Sequence, residues 1–356
     1  MDAPAPTVPA TRLRCVLIPR FNMLGLNGIL EPPRIANYLS QDPLYQPSFH
    51  SFDGDVVTSS NGLKVACDPA PEKLDRDDIV LVFGSWGSEH YRNPKLMSWL
   101  RLQARRNVRL CGIELGAYVL ARTGLLSQQK ATTHWSYLSG FQERFPDLVA
   151  VEQLYTDDGR FMTCGGGTAG LDMMLYLIAQ AHGKRLAGEI SDQLLHHPIR
   201  PEDTPQRVTL GRGTDSLPTA VRRTVSLIEN NINEPLKVPD IADEVGLSQR
   251  QLERLFVKEM GCSVVQFGLL MRLQHARVLL ISTGLSIREI ATASGFNSLS
   301  HFAYAFKECF GKRPRDYRQA WPEQEVEPHW PGTLATFLDT IRAKRRVERQ
   351  ASDGLA

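Results

Sequence analysis

The sequence predicts two domains of different class, an α/β domain with a mostly parallel sheet and helices on both faces, then an all-α domain. Three observations carry this. The first two hundred residues alternate short, continuously apolar runs with helix-period segments. Residues 199–216 are rich in Pro, Gly, Asp and Thr without periodicity. From Pro218 onward the apolar spacing is helical throughout, with no β-branched runs. A chain of 356 residues is long enough for two cores. With 42% hydrophobic and 22% charged residues, its composition excludes wholesale disorder.

The α/β domain is expected over residues 12–198. Before it, residues 1–11 read as a disordered lead-in, whose Pro and Ala lack the charged start and apolar centre of a signal peptide. Arg14-Cys15-Val16-Leu17-Ile18, Asp78-Ile79-Val80-Leu81-Val82-Phe83 and Val108-Arg109-Leu110-Cys111-Gly112-Ile113 read as central strands. A strand buried on both faces needs apolar residues at consecutive positions. Helices are expected over 93–107 and 116–123 and, after Gly165-Gly166-Gly167-Thr168, over 169–181. Gly84, Gly87 and Gly112 stand at strand ends, where such sheets hold ligands.

Residues 199–216 are expected to be a linker and 217–322 the helical domain. A tail, 323–356, carries one amphipathic, basic stretch at 333–349. No run of 18 apolar residues occurs, so neither a transmembrane helix nor a membrane partner is expected. The six cysteines show no C-x-x-C pair and no Cys/His metal spacing. That fits a reduced, cytoplasmic chain with no metal or other cofactor.

The helical domain contains a duplication. Ile241-Ala242-Asp243-Glu244-Val245-Gly246-Leu247 is echoed 49 residues later by Ile290-Ala291-Thr292-Ala293-Ser294-Gly295-Phe296. Leu252, Phe256 and Gly261 are echoed 50 residues later by Phe302, Phe306 and Gly311, so the second turn holds one extra residue. Each copy outlines a short helix, a glycine turn and a longer helix, the plan of a helix-turn-helix. A stiff helix over 264–282 would hold two such units about 34 Å apart, matching successive major grooves on one face of a duplex. Charge agrees with this: residues 217–322 hold 14 basic against 10 acidic residues, whereas the whole chain is only +2.

These residues are joined by Arg272-Leu273, Ala276-x-x-Leu279-Leu280, Ile287-x-x-Ile290-Ala291, Phe302-x-x-x-Phe306-Lys307, Pro314, Tyr317 and Arg318. Over 218–318 the pattern resembles the DNA-binding domain of AraC/XylS-type transcription regulators. On the helix expected over 248–259, Gln249, Arg250, Glu253 and Arg254 point away from the Leu252/Leu255/Phe256 face. Arg can bind guanine bidentately, and Gln adenine. On the helix over 298–309, Ser300, His301 and Tyr304 face outward with fewer strong base readers. The first unit is therefore expected to carry more sequence discrimination. Lys307, Lys312, Arg313, Arg315 and Arg318 are expected to touch phosphates.

Leu110-Cys111-Gly112-Ile113-Glu114-Leu115-Gly116-Ala117-Tyr118-Val119-Leu120 reads as strand, sharp turn and helix start. Such an elbow often presents a nucleophile beside a helix N-terminus. With Ala131-Thr132-Thr133-His134-Trp135 and residues 163–172, it resembles PfpI-like domains of the class I glutamine amidotransferase-like superfamily, which implies a flavodoxin-like sheet. Aligning Gly116-Ala117 with that elbow puts Glu114 where catalytic members carry Cys. It also matches His134 to the family's histidine and Glu31 to its acidic residue on the first strand's loop. Cys111 stands three residues early, inside the strand, and reads as a buried structural thiol. No catalytic residue is expected, and the domain reads as a sensor built on an enzyme pocket.

An amidotransferase-like domain followed by an AraC-type domain resembles a group of regulators that includes those responding to glycine betaine, carnitine and arginine. The resemblance spans residues 12–320 and implies a transcription activator that binds double-stranded DNA, a small-molecule effector and RNA polymerase. Members of the group commonly carry an acidic residue at the elbow. A carboxylate there disfavours anions and favours a cationic head group, and Trp86, after a strand, offers a cation–π face. The expected ligand is a quaternary ammonium compound or cationic amino acid held by Glu114, Trp86, His134 and Glu31. The alternative pairs Glu114 internally and buries Trp86 in a core or dimer interface. A homodimer would double the contacts to tandem half-sites. Two rivals stay open. One is a PfpI-like hydrolase or amidotransferase fused to a DNA-binding domain, which any turnover would support. The other is an architectural DNA binder without a ligand, which sequence-specific footprints would eliminate.

Overall fold

The computed structural model describes residues 10–40, 43–206 and 217–320. The lead-in through residue 9, linker residues 207–216 and the tail with its 333–349 stretch lie outside the described residues. The chain divides into two compact units between Gln206 and Arg207.

The first unit opens with β1 (Thr11–Leu17), α1 (Met23–Leu39) and β2 (Tyr45–Ser51), followed by a hairpin of β3 (Val56–Thr58) and β4 (Lys64–Ala66) and the short β5 (Asp68–Pro69). Next come β6 (Ile79–Gly84), α2 (Pro94–Arg105), β7 (Arg109–Glu114), α3 (Gly116–Arg122), β8 (Lys130–Ala131), α4 (Leu138–Arg144) and β9 (Val149–Ala150). It closes with β10 (Tyr155–Asp157), β11 (Phe161–Cys164), α5 (Ala169–His182) and α6 (Lys184–Gln193). The main sheet runs β10-β11-β7-β6-β1-β2-β5, parallel except at the β10 edge.

Successive strand residues face opposite sides of the sheet. Leu13, Cys15, Leu17, Leu81, Phe83, Cys111 and Ile113 pack with α1, α5 and α6. Val16, Val80, Val82 and Leu110 face the other side and are equally buried, and α2 and α3 pack there. Burial on both faces explains why the centres of β1, β6 and β7 read as apolar runs. Asn22 and Asn93 start α1 and α2 by accepting backbone N–H bonds with their side chains.

The chain after Pro198 corrects the expected linker. Asp172, wholly buried on α5, accepts from His196 Nε2 at 2.9 Å, from the Arg200 backbone N–H at 2.7 Å and from the Arg200 guanidinium at 2.6 and 3.0 Å. The Gln206 amide donates to Thr132 Oγ1 and to the carbonyls of Thr133 and Gln153, and accepts the Trp135 N–H. Residues up to Gln206 therefore belong to the first unit. A buried carboxylate must find donors, and here the donors come from a segment whose composition signals only irregular backbone.

The second unit is α7 (Thr219–Asn230), α8 (Val238–Glu244), α9 (Gln249–Met260), α10 (Val264–Ser282), α11 (Ile287–Ala293), α12 (Leu299–Phe310) and α13 (Pro314–Ala320). The duplication is visible in the backbone. Gly246 and Gly295 take φ of 71° and 72° in the two turns, a left-handed conformation open to Gly without a Cβ clash. Ser248 and Ser298 cap α9 and α12. The repeat also extends further than the sequence pattern reveals. Phe267 packs edge-on against Phe256 at 5.6 Å, and Tyr317 against Phe306 at 5.5 Å, so the start of α10 and α13 form a matching third helix. Helix α10 is, by length and composition only, apolar enough to cross a membrane. Its polar residues interrupt the apolar run, and Phe267, Leu270, Leu273 and Ala276–Ile281 are buried in the unit's core.

Candidate functional site

Strand β7 ends on Glu114, whose φ of 55° is left-handed and costs a side-chain-bearing residue about 1–2 kcal/mol. The elbow closes tightly on its neighbour: a Cβ placed on Gly116 would stand 1.9 Å from the Val82 carbonyl oxygen. Thr133 Oγ1 donates to the Glu114 carbonyl at 2.9 Å and steadies the turn. The Glu114 side chain is only 5% exposed. Ser85 Oγ donates to Oε1 at 2.7 Å and the Asn22 side chain also hydrogen-bonds the carboxyl. Oε2 is buried, has no hydrogen-bond partner among the described residues and lies against Gly166. Burial pushes this carboxyl up to about 7, against the opposing pull of Ser85 and Asn22.

Of the residues expected at this site, Glu114 ends strand β7, and Trp86 and His134 come from loops; the ends of parallel strands are where such folds bind ligands. Trp86 is half-buried and follows Ser85 on the loop after β6. His134 follows Thr133, and its Nδ1 meets Ser136 Oγ at 2.7 Å. Burial lowers the His134 imidazole to about 4, so it is neutral at pH 7. Glu31 is not part of this group. The loop after β1 ends at Asn22, which caps α1, and Glu31 stands about 13 Å further along the helix axis, ion-paired with Arg34 at 2.6 Å near solvent. Asn22 and Ser85 hold the carboxylate instead, and sequence reasoning missed both. The signal for Asn22 was available, since Asn directly before an apolar helical run is a common N-cap.

Cys111 and Cys164 are fully buried, and burial pushes each thiol up to about 12. Neither supplies a thiolate at neutral pH.

In the second unit Gln249, Arg250 and Arg254 are exposed on α9, and Ser300, His301, Tyr304 and Lys307 on α12, with Lys312, Arg313 and Arg315 beyond it. Two expected contacts are corrected. Glu253 is half-buried, and its Oε2 accepts the Val264 N–H at 3.4 Å at the start of α10. Arg318 turns inward and donates to the carbonyls of Leu280 at 3.2 Å and Leu285 at 2.6 Å. Val264 N–H in the first turn of α10 and the Leu280 carbonyl in its last are groups that the helix itself leaves unpaired, and these two side chains supply their partners. Arg272, read only as a motif residue, stacks on Phe296 at 4.7 Å and donates to the Gly295 carbonyl, bracing the second turn.

Residues 44–180 match the DJ-1/PfpI family, and residues 241–320 match a helix-turn-helix domain. The HTH-type transcriptional regulator GbdR of Pseudomonas aeruginosa is 38% identical over 307 residues, covering 86% of this chain and 84% of the relative. The HTH-type transcriptional regulator CdhR of the same species is 36% identical over 330 residues, covering 93% and 98%. A crystal structure of an AraC family transcriptional regulator from Pseudomonas putida aligns over 52% of this chain and 99% of that one, at 23% identity and a TM-score of 0.47. The two full-length relatives, with the duplicated helix-turn-helix and the elbow domain in one chain, show a DNA-binding transcription regulator that belongs to the AraC family, in the group with a DJ-1/PfpI-like domain ahead of the DNA-binding one.

Proposed function

We propose that this regulator is switched by a small cationic metabolite, a quaternary ammonium compound or cationic amino acid, bound at Glu114 beside Trp86 and His134. The observation that carries the reading is the buried Glu114 Oε2, which has no hydrogen-bond partner among the described residues. An uncompensated carboxylate is costly to bury, and a ligand bringing positive charge would relieve that cost. In this reading the domain does not catalyse, since the elbow carries a carboxyl and neither neighbouring thiol ionises at neutral pH. Gln249, Arg250 and Arg254 read bases, with Ser300, His301 and Tyr304 contributing from α12. Lys307, Lys312, Arg313 and Arg315 hold phosphates. The chain acts in the cytoplasm as an activator, bound as a homodimer in contact with RNA polymerase.

Thermal stabilisation by a panel of betaines, carnitine, small quaternary amines and basic amino acids tests the effector site. Binding at a hundredfold excess over Kd adds about 2.7 kcal/mol. Glu114→Gln is expected to weaken the selected ligand about tenfold to a hundredfold, the worth of one charged contact. A ligand that favours the ionised carboxyl must displace its proton. Affinity for the wild type is thus expected to fall as pH drops below about 7, by up to about tenfold per unit, while Glu114→Gln shows no such slope. A ligand bound equally by both proteins at every pH would end the proposal.

A further inference from the structure

We propose that the second helix-turn-helix reads thymine methyl groups through Leu299 and Tyr304, so that the two half-sites are recognised by different chemistry. This rests on the reading of α9 and α12 as the DNA-contacting helices.

The duplication supplies the comparison. With an offset of 50, Gln249, Arg250 and Arg254 correspond to Leu299, Ser300 and Tyr304. Each trio occupies the first, second and sixth positions after a capping serine, Ser248 or Ser298. The N-terminal residues of a recognition helix are those that reach base edges. Core positions keep their character between the copies, as Leu252/Phe302, Phe256/Phe306 and Phe267/Tyr317 show. The outward trio changes from three polar side chains to a leucine, a serine and a tyrosine. Leu299 is nonetheless 40% exposed and Tyr304 68%.

The surface beside Leu299 is apolar for a traceable reason. In the first unit Glu253 accepts the Val264 N–H. At the corresponding places of the second unit stand Ala303 and Pro314. Proline has no N–H to satisfy, so no carboxylate is needed there. Ile287, Leu299, Ala303 and Pro314 form the apolar part of one cleft, whose polar part is the exposed Arg313, Arg315, Asp316 and Gln319. In the major groove the one apolar feature of a base edge is the thymine C5-methyl group, and apolar side chains recognise it. The arginines of the cleft suit phosphates.

The test uses the full chain and a duplex selected by it from a random library. Positions whose preference relaxes in Arg250→Ala or Arg254→Ala mark the half-site of the first unit, and the remaining specified positions belong to the second. Replacing thymine by deoxyuridine removes only the methyl group. In the second half-site this is expected to weaken wild-type binding about fourfold per contacted methyl, while Leu299→Ala and Tyr304→Ala each lose that sensitivity at the thymine their own side chain contacts. In the first half-site it should have little effect. Wild-type indifference to deoxyuridine throughout the second half-site would overturn the proposal, as would equal sensitivity in Leu299→Ala. If neither arginine variant relaxes any position, the underlying assignment of α9 to base reading fails instead, a result distinct from the first two.

Discussion

Gly116→Ala is expected to destabilise the first unit by about 4 kcal/mol or more, enough to leave its elbow unformed at ambient temperature. The added methyl would stand 1.9 Å from the Val82 carbonyl oxygen and 2.9 Å from its carbon, and both are backbone atoms of β6. No rotamer change relieves such a contact, so either β6 moves from β7 or α3 lifts from the sheet. Each displacement breaks packing at Val80, Val82 and Leu120, all fully buried. Gly188→Ala provides the contrast. It lies inside α6 with nothing within 4 Å of the added Cβ, and the substitution is expected to stabilise by about 0.5–1 kcal/mol through helix propensity. Denaturant titration followed by tryptophan fluorescence in a Trp321→Phe, Trp330→Phe background checks both, because the three remaining tryptophans, Trp86, Trp99 and Trp135, all lie in the first unit. A Gly116→Ala midpoint equal to the wild type's would mean that the elbow is far more pliable than its backbone contacts imply.

The features legible in the sequence were those set by local rules. Consecutive apolar residues marked the centres of β1, β6 and β7, because burial on two faces favours apolar residues at successive positions. Gly246, Gly295, Ser248 and Ser298 marked the duplicated turns and caps, since φ near 70° and unpaired helix N–H groups each demand a particular residue type. Residues whose role depends on a distant partner were not legible. Nothing around Arg200 or Gln206 announces that one meets Asp172 and the other Thr132. Glu253 and Arg318 look like solvent-facing charges by helical periodicity, yet each serves a backbone group of another segment. Glu31 failed for a related reason. Its place was inferred by order along the chain, and the helix that starts at Met23 carries it away from the sheet's end. Glu114 was legible because the elbow fixes its neighbours within a few residues. Its hydrogen-bond partners were not, since Asn22 and Ser85 arrive on the loops that follow two other strands, β1 and β6.

Replacing Glu114 by Gln is expected to make the unliganded first unit more stable at pH 8 than the wild type, with the advantage disappearing in acid. The folded carboxyl titrates at about 7, against 4.5 for an ordinary glutamate. Between those values the folded state holds a proton that the unfolded chain has released, so wild-type stability falls as pH rises through this window. At about 1.4 kcal/mol per unit, the accumulated penalty by pH 8 is on the order of 3 kcal/mol. Gln carries no such proton, and its amide at the Oε2 position adds only a pH-independent offset for an unsatisfied N–H. The observable is therefore the slope: variant minus wild-type stability should rise by about 3 kcal/mol from pH 4 to pH 8. His134 works in the opposite direction, since a folded value near 4 against 6.5 makes stability grow as pH rises between them. It is present in both proteins and cancels in the difference. A flat difference across that range would show that Glu114 is compensated by charge or water in the folded state, and would remove the energetic ground for a cationic effector. The expected slope would instead show a carboxyl held at a cost in stability, as a site kept for binding rather than for folding tends to be.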